Sequence, residues 1–260
     1  MSALGAALAA AACALAGAFA ALAATQDDAR RSGYDYMSPA TQAIERDDSQ
    51  NPAMLWVADG EALWSRKAGK TGKSCADCHG DARSSMRGVA ARYPAFDAAG
   101  ERPVDLAQRI DLCARRHQQA EPFAPESAPR LALESYVARQ SRGWPVAPPS
   151  DPRLDPWRER GREHFHRRIG QLDLACAQCH DALAGQRLGG SVIPQAHPTG
   201  YPIYRLEWQA MGSLQRRLRG CMSGVRAEVP PYGAPEFLEL EIYLASRAAG
   251  MAVDAPGVRP

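Results

Sequence analysis

Two pentapeptides in this sequence place a histidine directly after a Cys-x-x-Cys pair: Cys75-Ala-Asp-Cys78-His79 and Cys176-Ala-Gln-Cys179-His180. Cys-x-x-Cys-His is the pattern that attaches haem c. The two thiols add to the porphyrin vinyl groups, the two-residue spacer sets the sulfurs at the separation of those groups, and the adjacent imidazole reaches the iron. A single copy could equally be a redox dithiol or half of a zinc site. Two copies that share Cys-Ala at one end and Cys-His at the other point to two covalently attached haem c groups.

The motifs belong to a longer duplication. Trp56, Gly60 and Trp64 match Trp157, Gly161 and Phe165 at an offset of 101, the offset that also separates Cys75 from Cys176. Bulky and small residues recurring every four positions predict a helix ahead of each motif. Asp155-Pro156 supplies a capping acid and a first-turn proline for the second. Downstream the offset becomes 108: Tyr93-Pro94 matches Tyr201-Pro202, Leu106 matches Leu214, Arg109 matches Arg217, Ile110 matches Leu218, and Cys113 matches Cys221. The seven extra residues of the second copy fall before Tyr201, in ALAGQRLGGSVIPQAHPTG, and predict a loop. Past the cysteines an offset of 107 aligns Leu131, Glu134, Tyr136 and Ala138 with Leu238, Glu241, Tyr243 and Ala245, which predicts a closing helix in each copy. The Pro-rich stretch GWPVAPPSDPRLDP, residues 143–156, reads as a linker. The expected architecture is mostly α: two tandem class I cytochrome c-like domains, residues 25–145 and 146–260.

Haem iron in such a fold takes a second axial ligand, commonly methionine or histidine. The duplication offers sulfur of another kind, since Cys113 and Cys221 occupy equivalent positions after their motifs. The rivals fail that equivalence: Met222 corresponds to Ala114, His117 has no counterpart histidine, and Met86 and Met211 do not match each other. His164 and His166 precede their motif on a predicted surface, and His197 lies in the extra loop. The competing reading is a disulfide between Cys113 and Cys221. Axial pairs His79/Cys113 and His180/Cys221 explain the repetition without requiring the two equivalent sites to meet. A thiolate ligand lowers the reduction potential, which suits chemistry beyond electron shuttling.

Arg109 and Arg217 each lie four residues, one helical turn, before the cysteine. A guanidinium beside sulfur stabilises the thiolate and offers a fork to an oxyanion. Only the second copy adds Arg216 and Arg219, and the first has Asp111 where the second has Arg219. This asymmetry marks the second site as the reactive one, with an anion that reacts with sulfur as its substrate, bound by Arg217 and additionally by Arg216 and Arg219.

The remaining composition bounds these readings. The chain has 260 residues and a formal charge of only +2, from 31 Lys and Arg against 29 Asp and Glu, so no nucleic-acid footprint is visible. Residues 1–24, MSALGAALAAAACALAGAFAALAA, are uncharged and end in Ala21-Leu22-Ala23, which fits signal-peptide cleavage; a basic stretch ahead of them is absent. An uncleaved anchor is the alternative, although alanine is a weak membrane residue. Export would remove Cys13 with the leader and carry the other six of the seven cysteines into an oxidising compartment.

Through both haem motifs, RGVAARYP, DLAQRIDLC and above all SLQRRLRGC, the chain resembles the SoxA family over nearly its whole mature length. These are the dihaem subunits of the SoxAX cytochromes that begin periplasmic thiosulfate oxidation. The resemblance implies haem 1 on Cys75 and Cys78 with His79 and Cys113 axial, and haem 2 on Cys176 and Cys179 with His180 and Cys221 axial. It further implies that Cys221 is the catalytic sulfur, carried as a persulfide, and that Arg217 contacts thiosulfate. The implied activity is that of an L-cysteine S-thiosulfotransferase, joining thiosulfate to a cysteine of a SoxYZ-type carrier protein. The implied partners are a SoxX-type monohaem cytochrome c subunit and a soluble cytochrome c acceptor, in the periplasm. Some members of the family lack the first motif, so its presence does not make haem 1 part of turnover. Two other functions fit the same residues: a dihaem thiosulfate dehydrogenase that couples two thiosulfates to tetrathionate without a carrier, and a plain electron-transfer protein with thiolate-ligated haems.

Overall fold

The computed structural model describes residues 29–260; the expected leader, with Cys13, lies outside them. Its first half runs α1 (Pro39–Arg46), α2 (Ala53–Ser65), α3 (Cys75–His79), a hairpin of β1 (Ala95–Asp97) and β2 (Arg102–Val104), then α4 (Leu106–Cys113) and α5 (Ala128–Arg139). The second half repeats this order with α6 (Asp155–His166), α7 (Cys176–His180), a hairpin of β3 (Ile203–Arg205) and β4 (Ala210–Gly212), α8 (Leu214–Gly224) and α9 (Pro235–Arg247). A last strand, β5 (Gly257–Arg259), adds in parallel to β3. The hairpins share one register, Ala95 opposite Val104 and Ile203 opposite Gly212, again 108 residues apart. Strands of three residues are too short to show an alternating pattern in sequence.

The helix before each motif crosses the closing helix of the same half, α2 on α5 and α6 on α9. Both crossings require glycine. A Cβ on Gly60 would stand 2.1 Å from the Ala132 carbonyl oxygen and 2.6 Å from Tyr136 Cβ. A Cβ on Gly161 would stand 2.0 Å from the Glu239 carbonyl oxygen and 2.8 Å from Tyr243 Cβ. One turn later the large residue of the stripe fills the space beneath the motif. Trp64 is buried, donates its indole N–H to the Gly80 carbonyl at 2.9 Å, and lies 5.7 Å from the His79 ring. Phe165, 1% exposed, meets Tyr243 at 5.4 Å.

The capping expected of Asp155 is displaced by one turn. Asp151 accepts from the Arg153 N–H to cap a short 3-10 turn, Pro152–Leu154, and Asp155 already lies in the first turn of α6. Its charge still suits the helix N-terminus there.

Segment 143–156 is anchored at two points, Val146 and Leu154, and is otherwise largely exposed. Val146 is buried and donates to the Met251 carbonyl at 2.8 Å, Val253 donates to the Trp144 carbonyl at 2.9 Å, and Leu154 is 1% exposed. The C-terminal tail follows the same path: Ala248, Val253 and Ala255 join the apolar cluster of Val57, Trp64, Leu133 and Tyr136. Met211 of the second half packs with Ala53 and Leu131 of the first. Apolar clusters thus run across the repeat boundary, and Arg31–Pro260 is one compact unit. Among the described residues no helix is long and apolar enough to cross a membrane.

A cavity of about 310 Å³ is lined by residues from equivalent places in both halves, including Tyr93 and Tyr201, Leu106 and Leu214, and Glu134 and Glu241. Two of its carboxyls, Glu134 and Glu241, are strongly shifted by burial. Burial, reinforced by Asp105, pushes Glu134 up to about 8 against the pull of Arg130, with Glu126 and Asp111 adding to the rise. Glu241 is raised well above its ordinary value by burial and then by Asp105.

Two outcomes follow from these geometries. Gly161→Ala, or Gly60→Ala, should lower unfolding free energy by about 2–3 kcal/mol, more than offsetting the ~1 kcal/mol by which alanine is the better helix former; denaturant titration measures it. Because the Glu134 carboxyl ionises near 4.5 in the unfolded chain and about 8 in the folded one, its contribution to stability is present below pH 4.5 and lost as pH rises towards 8. Glu134→Gln should therefore leave the melting temperature nearly unchanged at pH 4.5 and stabilise by about 4 kcal/mol at pH 8.

Candidate active site

Each motif forms a single helical turn with its two thiols and imidazole on adjacent positions. In the second half, α7 is closed by Gln178, whose side-chain oxygen accepts from the Ala175 N–H at 2.7 Å. His180 donates from Nδ1 to the Pro194 carbonyl at 2.6 Å. That bond fixes the tautomer and leaves Nε2 as the ring nitrogen that meets Cys221. Pro194 belongs to the extra loop, which contains a two-residue ladder, Arg187–Leu188 with Ser191–Val192. The loop therefore has a structural task at the histidine.

Cys221 approaches from the opposite side on α8. Ser213 caps this helix by accepting from the Arg216 N–H at 3.1 Å. Leu214, Leu218 and Met222, spaced by four, pack against the cluster of Phe165, Leu240 and Leu244 together with Cys176. That apolar stripe turns the neighbouring stripe, Arg217 and Cys221, towards a cavity of about 460 Å³ lined also by His180, Tyr201 and Arg205. Burial pushes the Cys221 thiol up, but a hydrogen bond with His180 and the charges of Arg217 and Arg205 bring it net below its ordinary value. Burial, then the nearness of Cys221, pushes Cys176 to about 11.

The donor set fits a c-type haem. A thiol pair and an imidazole share one turn, a second sulfur faces that imidazole, and Leu214, Leu218 and Leu244 give the cavity apolar walls. The first half has the same set. Burial and then Cys113 raise Cys75 to about 11. Cys113 and Cys221 are not bridged to each other. Among the described residues, no group of three or more His, Cys, Asp or Glu side chains is arranged to hold a bare metal ion.

The two sites differ in what faces the sulfur. In the first, Arg109 is engaged by Asp97 at 2.9 Å and by a hydrogen bond with Tyr93. Arg116 adds a fork on the same carboxylate at 2.8 and 3.1 Å. The hydrogen bond from Arg116 and the charges of both arginines hold Asp97 well below the usual carboxylate range. With those cations spoken for, burial dominates and Cys113 lies above its ordinary value. In the second site the position of Asp97 is taken by Arg205, and that of Arg116 by Gly224.

The arginines expected around Cys221 are dispersed. Arg217 lines the cavity, and among the described residues it forms no ion pair with a carboxylate. Arg216 turns away, lying over the Trp208 ring at 4.1 Å and donating to the Met211 carbonyl at 3.3 Å. Arg219 lies over Tyr232 at 4.4 Å and donates to the Pro230 carbonyl. Asp111, expected to repel anions in the first site, is paired with Arg130 at 3.0 Å. The charge contrast resides instead at positions 97 and 205, which the offset of 108 could have disclosed. The histidines set aside as ligands are otherwise engaged: His164 with Glu239 at 2.8 Å, and His197 with the Arg31 carbonyl at 2.8 Å. Met86 and Met211 are buried in apolar clusters.

A family model described as the SoxA/TsdA cytochrome c domain matches residues 59–146, and such a domain implies haem c. The chain is 39% identical over 229 residues to the L-cysteine S-thiosulfotransferase subunit SoxA of Pseudaminobacter salicylatoxidans, covering 88% of this chain and 80% of that one. It is 36% identical to the subunit of the same name from Rhodovulum sulfidophilum, over 89% of this chain and 81% of that one. Among solved structures, SoxXA from P. pantotrophus superposes with a TM-score of 0.85 at 33% identity, covering 89% of this chain and 87% of that one. At these identities, over most of both chains, the chain belongs to the SoxA family.

Proposed function

We propose that this chain is the dihaem, thiosulfate-conjugating subunit of a periplasmic sulfur-oxidising complex, an L-cysteine S-thiosulfotransferase. The observation that carries the reading is the meeting of Cys221 with His180 in a cavity that Arg217 lines one turn before the cysteine. Two cytochrome c-like halves would each hold a haem, attached through Cys75 and Cys78 or through Cys176 and Cys179. His79 with Cys113, and His180 with Cys221, would be the side chains that hold the iron. Haem c, when bound, supplies a one-electron acceptor that can be emptied into another cytochrome.

The chain's own residues would perform the sulfur chemistry. Arg217 binds the dianion through charge-assisted hydrogen bonds. The Cys221 thiolate bonds to the outer sulfur of thiosulfate, and that step gives up two electrons: Cys–S⁻ and S₂O₃²⁻ become Cys–S–S–SO₃⁻. A carrier thiolate then attacks the sulfur that bears the sulfonate, forms the carrier's S–S–SO₃⁻ group and returns Cys221 as thiolate. Tyr201 keeps its proton throughout, since burial pushes it up to about 12, and so presents a neutral hydroxyl to the cavity. A SoxX-type monohaem subunit and a soluble cytochrome c would take the electrons, and a SoxYZ-type protein would be the carrier. The likeness to SoxXA supports the first of these. The leader, residues 1–24, would deliver the chain to the periplasm.

In the haem-loaded complex with its monohaem partner, Cys221→Ser should lower carrier conjugation by at least ~10³-fold, while Cys113→Ser keeps it. Arg217→Gln should lower kcat/KM by roughly 30-fold, the equivalent of about 2 kcal/mol for one charged hydrogen bond. Mass spectrometry of the carrier, with haem content checked in each variant, gives the answer. Conjugation that survives Cys221→Ser would sink the reading, and tetrathionate formed from thiosulfate alone would replace it with a thiosulfate dehydrogenase.

A further inference from the structure

Arg205 stands at the end of β3, 92% buried by its 8% exposure, with a guanidinium that lines the same cavity as Cys221 and Arg217. Its environment positions it without exhausting it. One terminal nitrogen pairs with Glu207 at 2.8 Å, a carboxylate that is half exposed. The Trp208 ring lies 5.2 Å from its guanidinium carbon. Its Nε is buried and has no hydrogen-bond partner. A buried, unpartnered guanidinium N–H costs about 1–3 kcal/mol unless something accepts from it.

The duplication gives the comparison that explains this cost. The equivalent residue in the first half is Asp97, whose carboxylate engages Arg109, the equivalent of Arg217, at 2.9 Å. One position, in one hairpin register, therefore holds an anion in the first half and a cation in the second. Where the first half closes its arginine with an internal carboxylate, the second half presents two guanidinium groups and, among the described residues, no carboxylate that pairs with both. Arg205 and Arg217 also press against each other electrostatically, an arrangement that favours arrival of an external anion.

We propose that Arg205 is the second guanidinium of the substrate site, forming with Arg217 a two-point clamp for a tetrahedral oxyanion, the sulfonate end of thiosulfate, beside Cys221. The assignment rests on the function proposed above. It makes the anion take the place of the carboxylate that Asp97 supplies in the first half, and it names position 205 as the residue that reserves substrate for the second site.

The test uses the haem-loaded complex with its monohaem partner and the carrier protein. Arg205→Gln should raise KM for thiosulfate at least tenfold with kcat changed less than threefold, and should raise the inhibition constant of sulfate, a tetrahedral dianion that does not react, by a similar factor. Arg205→Lys, which keeps the charge and tolerates the buried position, should recover part of both. Arg205→Asp, which copies the first half, should abolish inhibition by sulfate. A readout without turnover is alkylation of Cys221: iodoacetate relative to neutral iodoacetamide should slow at least fivefold in Arg205→Gln. Unchanged KM and sulfate inhibition in Arg205→Gln and Arg205→Lys overturn the proposal. So does loss of haem content or a shifted absorption spectrum in Arg205→Lys with KM unchanged, because Arg205 would then serve the haem carboxylates. Failure of the parent reading is distinct, since a wild-type complex would then not turn over thiosulfate at all.

Discussion

Two helix crossings set the frame on which both sites are built. At Gly60 and at Gly161 the partner helix presents a backbone carbonyl where a side chain would otherwise stand, so the helices meet backbone to backbone. This closeness decides where the motif turns can lie. The same helix that carries the glycine carries, one turn on, Trp64 or Phe165, and each of these sits beneath its motif. A wider crossing would move that aromatic and with it the proximal histidine. The interaction is steric and local, and it occurs twice with the same partners, Tyr136 and Tyr243 among them. Small residues are the general device by which helices approach within the usual 8–10 Å.

The frame is repeated faithfully, and the chemistry diverges through charge. Helices α4 and α8 both present arginine and cysteine one turn apart. What decides their behaviour is the third group, contributed by the hairpin. Asp97 closes the first pair into an ion-paired network that also takes in Arg116, and the thiol above it is governed by burial. Arg205 leaves the second pair open and cationic, and burial of the thiol is outweighed by its hydrogen bond with His180 together with the charges of Arg217 and Arg205. Two sites of different charge thus arise from one scaffold by exchanging an acid for a base in a strand of three residues.

Much of this was legible in the residues themselves. The motif pairs, the helices before and after them, the sulfur-bearing helix and Arg217 all followed from constant offsets, because helices of eight or more residues impose spacing that a linear comparison detects. Three features were not legible. The hairpins are too short for periodicity, so Arg205 went unnoticed although the offset that aligned Arg109 with Arg217 also aligns it with Asp97. Arg216 and Arg219 looked like part of a cluster because neighbours in sequence differ by about 100° around a helix, and adjacency was taken for proximity. The Pro-rich stretch 143–156 read as a linker on composition, but proline suits an extended edge that packs as well as one that does not. Its anchoring depends on Val253 and Ala255, a hundred residues away, which no local pattern reports.

Crowding cations around a thiolate has opposing consequences, and their sizes decide between them. Lowering a thiol's pKa by one unit weakens it as a nucleophile, with a Brønsted slope near 0.4–0.5, so the loss is about 0.6 kcal/mol of barrier. Against this stands the repulsion between a thiolate and a dianion. At 4 Å and an effective dielectric constant near 20, unit charges interact by about 4 kcal/mol, and a dianion doubles that to roughly 8 kcal/mol. Each guanidinium close to both partners removes a large part of it. The balance favours cations strongly, so a site that brings thiosulfate to a thiolate gains more from Arg205 and Arg217 than it loses in nucleophilicity.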